Sequence, residues 1–318
     1  MNVRKISKYS TFEKKKFPFV YLLMAFPVLQ FVIFWVYLNS SSLVLSFIDG
    51  EGRPTLENFK MIMYGFKDNL YGYNLFEALR RSLTLWGLDF FILFPIGVLT
   101  TYILYRRIAG HYLFRVCYII PSLMGAVIWT KIMRYMSQPV SNGGVFIQFL
   151  QALGVKLPIN AVRQGLLGSE ETAFPTLITI KIVMGLVGNN AVLTGAFSRI
   201  PEEFYEASYL DGADFWTVFF KIAVPCVWST IATLMTFSLC SIMTADYAVF
   251  LYSNETGKPG MSTIGFLLDK ITYDISQGGG NPYYGYPAAL GMTLTLITLP
   301  IVLGGRRIIE KVFSDVEV

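Results

Sequence analysis

Residues 198–225 read SRIPEEFYEASYLDGADFWTVFFKIAVP. The segment parses as two short helices joined by a turn. Ser198 is placed as an N-cap with Pro201 in the first turn, and Glu202 and Glu203 favour the positive helix end. Asp211-Gly212 is a stop signal, because glycine takes the left-handed conformation at a helix C-terminus. Asp214 then caps a second helix that runs into the next apolar stretch. Apolar or small residues recur at helical spacing: Phe204, Ala207, Ser208 and Leu210, then Phe215, Phe219 and Ile222. The segment 197–222 holds Arg199 and Lys221 against five acids: Glu202, Glu203, Glu206, Asp211 and Asp214. Two readings fit that charge: a solvated amphipathic connector, or a ridge offered to a protein partner.

On either side the chain is apolar. Of 318 residues, 54% are hydrophobic and only 15% charged, against about 25% charged in a typical soluble domain. Mean hydropathy is +0.51. This composition excludes a disordered or nucleic-acid-coating chain and predicts an all-α polytopic membrane protein. Six stretches are long enough to cross a bilayer as helix: about 17–38, 84–105, 116–135, 175–196, 223–249 and 287–304. The first is too long and aromatic for the apolar core of a signal peptide, and is read as an uncleaved anchor. Pro27, Pro95, Pro121 and Pro300 fall within spans and are read as helix kinks.

Lys and Arg on short segments set the expected orientation. Arg4, Lys5, Lys8, Lys14, Lys15 and Lys16 precede the first span. Arg106, Arg107 and Arg115 follow the second, and Arg306, Arg307 and Lys311 follow the last. With six spans these lie on one side, so both termini are expected in the cytoplasm. The segments 39–83, 136–174 and 250–286 are then outside. Arg80 and Arg81, also outside, count against the rule. The organisation is a basic tail (1–16), a six-helix domain (17–305) with the 197–225 loop on its inner face, and a C-terminal tail (306–318).

Little chemistry is on offer. There is one histidine, His111, and the three cysteines (Cys117, Cys226, Cys240) sit singly in apolar runs. No phosphate-binding Gly-rich loop is present: Gly257-Lys258 is followed by Pro. Hence no catalytic residue, metal ligand or nucleotide site is expected.

The loop's spacing resembles the EAA motif of permease subunits of binding-protein-dependent ABC importers. That pattern is EAA, three residues, Gly, nine residues, Ile-x-Leu-Pro. Here stand Glu206-Ala207-Ser208, Gly212 and Ile222-Ala223-Val224-Pro225, with Ser208 for Ala and Val224 for Leu. The surrounding IPEEFYEASYLDGA is similar to the form found in carbohydrate importers. TLENFKMIMY (55–64), FRVCYIIPSLMGAVIWTKIM (114–133) and SNGGVFIQFLQALG (141–154) resemble other segments of sugar permeases, and the likeness runs over about 18–310.

The resemblance implies a type I importer-like fold in a bacterial plasma membrane. It implies a heterodimer with a second permease, an extracellular solute-binding protein that delivers sugar, and two cytoplasmic ATPase subunits. ATP and Mg then belong to those subunits, and this chain binds no cofactor. The coupling residues carried over are Phe204, Tyr205, Glu206, Ala207, Ser208, Asp211, Gly212, Phe215, Ile222 and Pro225. Glu206 is read as a charge-assisted contact or a cap, Gly212 as the turn, and Phe204, Tyr205, Phe215 and Trp216 as contact area.

Polar groups inside spans mark a substrate pathway. The adjacent amides of Asn189 and Asn190 can donate to and accept from sugar hydroxyls. Lys181, Thr244, Asp246 and Tyr247 complete the candidates, with Asp89 shallower; Trp129 and Trp228 are candidate stacking platforms. The alternative readings are helix–helix hydrogen bonding between subunits for the two amides, outward snorkelling for Lys181, an interface position for Asp246 with Thr244 and Tyr247, and belt or packing roles for the aromatics, Tyr247 among them. Tyr283, Tyr284 and Tyr286 form an external cluster, read as either a binding-protein contact or an interface anchor. A stand-alone secondary carrier or channel, and a non-transport membrane enzyme, remain the competing functions. The loop argues against the first, and the missing catalytic set against the second.

Overall fold

A computed structural model describes residues 21, 23–69, 74–106, 113–114, 116, 126–185, 190–243, 261–278 and 283–312. Among these, α-helix dominates and the only β pairing is one isolated bridge, Ile48 with Pro54. The elements are α1 (Leu23–Ser46), α2 (Glu57–Lys67), α3 (Leu75–Tyr105), α4 (Ala126–Met136), α5 (Val145–Ala152) and α6 (Ile159–Gln164). Then come α7 (Glu170–Gly185), α8 (Asn190–Phe197), α9 (Glu202–Leu210), α10 (Phe215–Cys226), α11 (Trp228–Cys240), α12 (Ile264–Gln277) and α13 (Gly285–Lys311).

Among the described residues, α1, α3 and α13 are long and apolar enough to cross a membrane. They match the expected spans 1, 2 and 6, but run further: α1 to Ser46 where 38 was expected, and α3 from Leu75 where 84 was expected. Burial explains the extensions. Ser46, Leu75 and Ala78 are buried in helix packing, so these turns are stabilised beyond any hydrocarbon thickness. The expected span 5 is a pair, α10 and α11, bent by 75°, with its straight part beginning at Trp228 rather than 223. The expected spans 3 and 4 pass partly through residues outside the described set.

Prolines shape the long helices as physics requires. Pro95 and Pro225 lack an N–H to give, and each is preceded by a π-helical turn, Asp89–Leu93 and Phe219–Ala223. The residue just before each proline donates five positions back, Phe94 to Asp89 and Val224 to Phe219. The wider turn accommodates the ring without breaking the helix.

Two separate cores hold the bundle. One gathers α2, α3, α4, α7, α12 and α13 around Ile62, Leu75, Phe266, Ile271 and Tyr286. The other lies at the opposite end of α3, around Tyr102, Phe197, Tyr205 and Phe219. Beside the first core, α5 and α6 close a small lobe over Ile147, Ala161 and Leu166. Gly143 sits at φ 86° at the lobe's entry. A side chain on Gly144 would strike the Gln138 carbonyl, which is why the chain needs Gly-Gly after Asn142.

The external tyrosine cluster is corrected by this packing. Tyr286 is 4% exposed and belongs to the core. Tyr283 turns its hydroxyl onto Asn58 Oδ1 at 2.8 Å and against the Ile48 carbonyl. Asn58 itself is buried and donates to the carbonyls of Ser46 (3.0 Å) and Ile48 (3.1 Å). Tyr283 and Tyr286 therefore tie the start of α13 to α2 and to the turn after α1. Arg81 is similarly structural: it pairs with Glu77 at 3.3 Å and donates to Ser262 Oγ at 2.8 Å, joining α3 to the segment before α12.

Candidate coupling site

The turn between α9 and α10 is built from backbone hydrogen bonds. Ala213 N–H donates to Ser208 O at 2.9 Å and Gly212 N–H to Tyr209 O at 3.1 Å. With Gly212 at φ 77°, this is a full Schellman close, which satisfies two carbonyls the helix end would leave orphaned. Nothing lies within 4 Å of where a Gly212 Cβ would stand. The glycine is required by dihedral, not by space.

Asp214 caps α10 as its sequence position predicts, accepting from Thr217 N–H at 3.2 Å. The Thr217 side chain, foremost, and then this backbone N–H and that of Trp216 hold its carboxyl below the usual range, against an opposing effect of burial. The start of α9 differs from expectation. Ser198 finishes α8 instead, its hydroxyl donating to Gly195 O at 2.8 Å. Pro201 takes the N-cap position with no side-chain bond. Proline gives no N–H to leave unsatisfied there, and Glu202 and Glu203 meet the positive helix end.

The ten expected coupling residues divide between two faces. Phe204, Glu206, Ala207, Asp211 and Gly212 are exposed. Tyr205, Ser208 and Pro225 are buried, while Phe215 and Ile222 are half-buried against the same core. Tyr205 and Phe215 therefore anchor the segment rather than supply contact area. Ser208 turns its hydroxyl back onto the Tyr205 carbonyl at 2.7 Å, so a small polar group sits where the motif has Ala, without an unpaired donor. Large apolar groups do reach the surface: Leu210, 89% exposed, and Trp216 stacked on Phe220 with centroids 6.1 Å apart.

Beneath, aromatic rings lock the segment to the bundle. Tyr102 of α3 meets Phe197 of α8 at 5.5 Å, and Phe215 and Phe219 of α10 at 5.5 and 5.0 Å. Tyr105 meets Phe197 at 6.3 Å and Tyr205 of α9 at 6.5 Å. Such pairs add about 0.5–1.5 kcal/mol each beyond their buried area. Burial pushes the Tyr205 phenol far above its ordinary pKa. Arg106, the C-cap of α3, places its guanidinium 4.4 Å from the Tyr205 ring centroid and 5.4 Å from that of Tyr209. Its Nη2 donates to the Tyr209 hydroxyl at 2.8 Å. Sequence reading missed Tyr102, Tyr105 and Arg106, counting Arg106 only as a charge that sets orientation. The available signal was an aromatic pair at helical spacing, Tyr205 and Tyr209, with basic residues at a span end.

The same architecture occurs in solved structures. A chain of a bacterial ABC transporter that imports the acidic polysaccharide alginate superposes with a TM-score of 0.72 over 96% of this chain and 99% of its own, at 21% identity. The fold is that of an ABC-importer permease. The same importer, solved with a periplasmic protein bound to an alginate pentasaccharide, matches the permease fold equally well. No family model matches the chain. Its relatives in sequence are permeases. The alpha-glucoside transport system permease protein AglF of Rhizobium meliloti is 27% identical over 90% of this chain and 81% of its own length. The arabinooligosaccharides transport system permease protein AraP of Bacillus subtilis is 24% identical over 92% of this chain and 88% of its own.

The pathway candidates are not brought together among the described residues. Asn189, Thr244, Asp246 and Tyr247 lie outside them, as does the side chain of Asn190. Lys181 is half-buried on α7. Trp228 donates its indole N–H to Ile309 O at 3.1 Å and packs beside α13, and Trp129 packs on the first core. Both indoles serve helix packing. Asp89 opens the π turn of α3, its Oδ1 3.4 Å from where a Gly185 Cβ would stand.

Proposed function

We propose that this chain is a permease subunit of an ATP-driven importer that carries a sugar or oligosaccharide into a bacterial cytoplasm. A solute-binding protein delivers the sugar outside, a second permease completes the pathway, and of two ATPase subunits inside one docks on α9 and α10 of this chain. ATP and Mg reside in those subunits; this chain has no catalytic role. One observation carries the reading: α9 turns Phe204, Glu206 and Leu210 outward while Tyr205 and Ser208 root it in the core shared by α3, α8 and α10. A push on the outer face is thereby delivered to membrane helices as rigid-body movement. The oligosaccharide permeases among the relatives support a carbohydrate cargo.

The test is co-expression with the neighbouring permease, ATPase and binding-protein genes. Copurification of the ATPase, and hydrolysis stimulated by sugar-loaded binding protein, are expected. Sugar transport by this chain alone in proteoliposomes, without ATP, would instead establish a secondary carrier.

A further inference from the structure

α9 is joined by the backbone to α8 before it and α10 after it, but α3 reaches it only through side chains. Those contacts concentrate at one point. Arg106 ends α3, where its positive charge complements the negative helix terminus. From there the guanidinium lies against two rings one helical turn apart on α9, Tyr205 facing the core and Tyr209 exposed. A hydrogen bond to the Tyr209 hydroxyl fixes its rotation. A planar group held by two rings and one directed bond resists both sliding and twisting, which an apolar contact alone does not.

We propose that Arg106 is a positioning residue for energy coupling: it carries movement of α9 to α3, the one long helix of this core with no backbone link to the loop. The inference rests on the importer reading above. It assigns Arg106 no contact with ATPase or sugar. Its half-buried place on the inner side of α9 makes it a linkage within the permease.

The experiment uses the assembled importer with Arg106→Ala, Arg106→Lys, Tyr209→Phe and the Arg106→Ala/Tyr209→Phe double variant. Copurification of the ATPase and its basal hydrolysis should be unchanged, while stimulation by loaded binding protein falls. The expected loss is about tenfold for Arg106→Ala and about threefold for Tyr209→Phe, given the strength of cation–π and charge-assisted bonds. Arg106→Lys should recover part of the stimulation, since it keeps the charge but not the planar fork. The double variant should be no worse than Arg106→Ala alone, because both remove one linkage. Wild-type stimulation in Arg106→Ala would overturn the proposal, as would losses that simply multiply in the double variant. If Arg106→Ala fails to assemble, Tyr209→Phe and Arg106→Lys decide: reduced stimulation in both supports the linkage, and unchanged stimulation in both overturns it. A wild-type complex that recruits no ATPase overturns the importer reading itself, an outcome distinct from all of these.

Discussion

The indole nitrogen of Trp228 donates to the carbonyl oxygen of Ile309 at 3.1 Å. Trp228 is the first residue after the 75° bend between α10 and α11, and Ile309 lies in the last turn of α13. That carbonyl also accepts from Val312 N–H at 3.3 Å, a short bond of the kind that tightens a last helical turn, and the indole is a second donor on it. Trp228→Phe keeps most of the packing and loses about 1 kcal/mol. Hydrogen exchange of residues 305–312 should speed up in that variant while exchange in α3 stays as in the wild type.

Gly212 is needed for its φ of 77°, with open space around it. Substitution cost should therefore follow dihedral preference, not size. Gly212→Asn should be tolerated, and Gly212→Ala should cost about 1 kcal/mol. Gly212→Val, smaller in reach than many tolerated surface residues, should be worst. Thermal unfolding and stimulated ATPase activity both read this order, and an order that followed side-chain volume would contradict it.

Ser208 occupies a buried site with its hydroxyl satisfied within the helix. Ser208→Ala should change stability by less than about 0.5 kcal/mol, since donor and need vanish together. Ser208→Leu should destabilise by about 1–3 kcal/mol through overpacking. Parallel melting curves of the two variants check this.

The cap at Asp214 carries a pH dependence. Its folded pKa is depressed, chiefly by the Thr217 side chain. The stabilisation is then complete above the unfolded-state pKa near about 3.9 and disappears as pH falls through the lower folded value. Between pH 7 and 5 the contribution of this group to the melting temperature is fully present and should not change with pH. Below about pH 4 the wild type should lose stability relative to Asp214→Asn, which keeps an acceptor but does not titrate there.

Orientation is open to direct labelling. Ser141 and Ser198 are both exposed and lie on opposite sides in the proposed topology. In a cysteine-free background, Ser141→Cys should react with an impermeant maleimide on intact cells, and Ser198→Cys only after permeabilisation.

Much of this molecule could be read without coordinates. The long apolar runs of α1, α3 and α13 and the turn at Gly212 follow from local rules of hydropathy and dihedral freedom. The Asp214 cap is equally local. What escaped was set by tertiary contact. Ser198 had the chemistry of an N-cap, but it sits in the turn that closes α8, where its hydroxyl goes to the Gly195 carbonyl. Tyr205 and Phe215 looked like exposed contact residues because a helical stripe does not say which partner covers it. Arg106 was invisible as a linker because its rings lie about a hundred positions away in sequence. Tyr283 turned inward because Asn58 and Ile48 needed it.

The π turn at Phe219–Ala223 sets the register of the helix around it. It fits one more residue into the turn than an α-helix would, so the residues on either side keep the faces they have. Removing one residue there, and with it the wide turn, would leave Trp216 outward and Val218 inward while drawing Pro225 into an ordinary helix that its ring cannot join. The wide turn is the step by which α10 admits Pro225 while Trp216 stays on the surface and Val218 in the core.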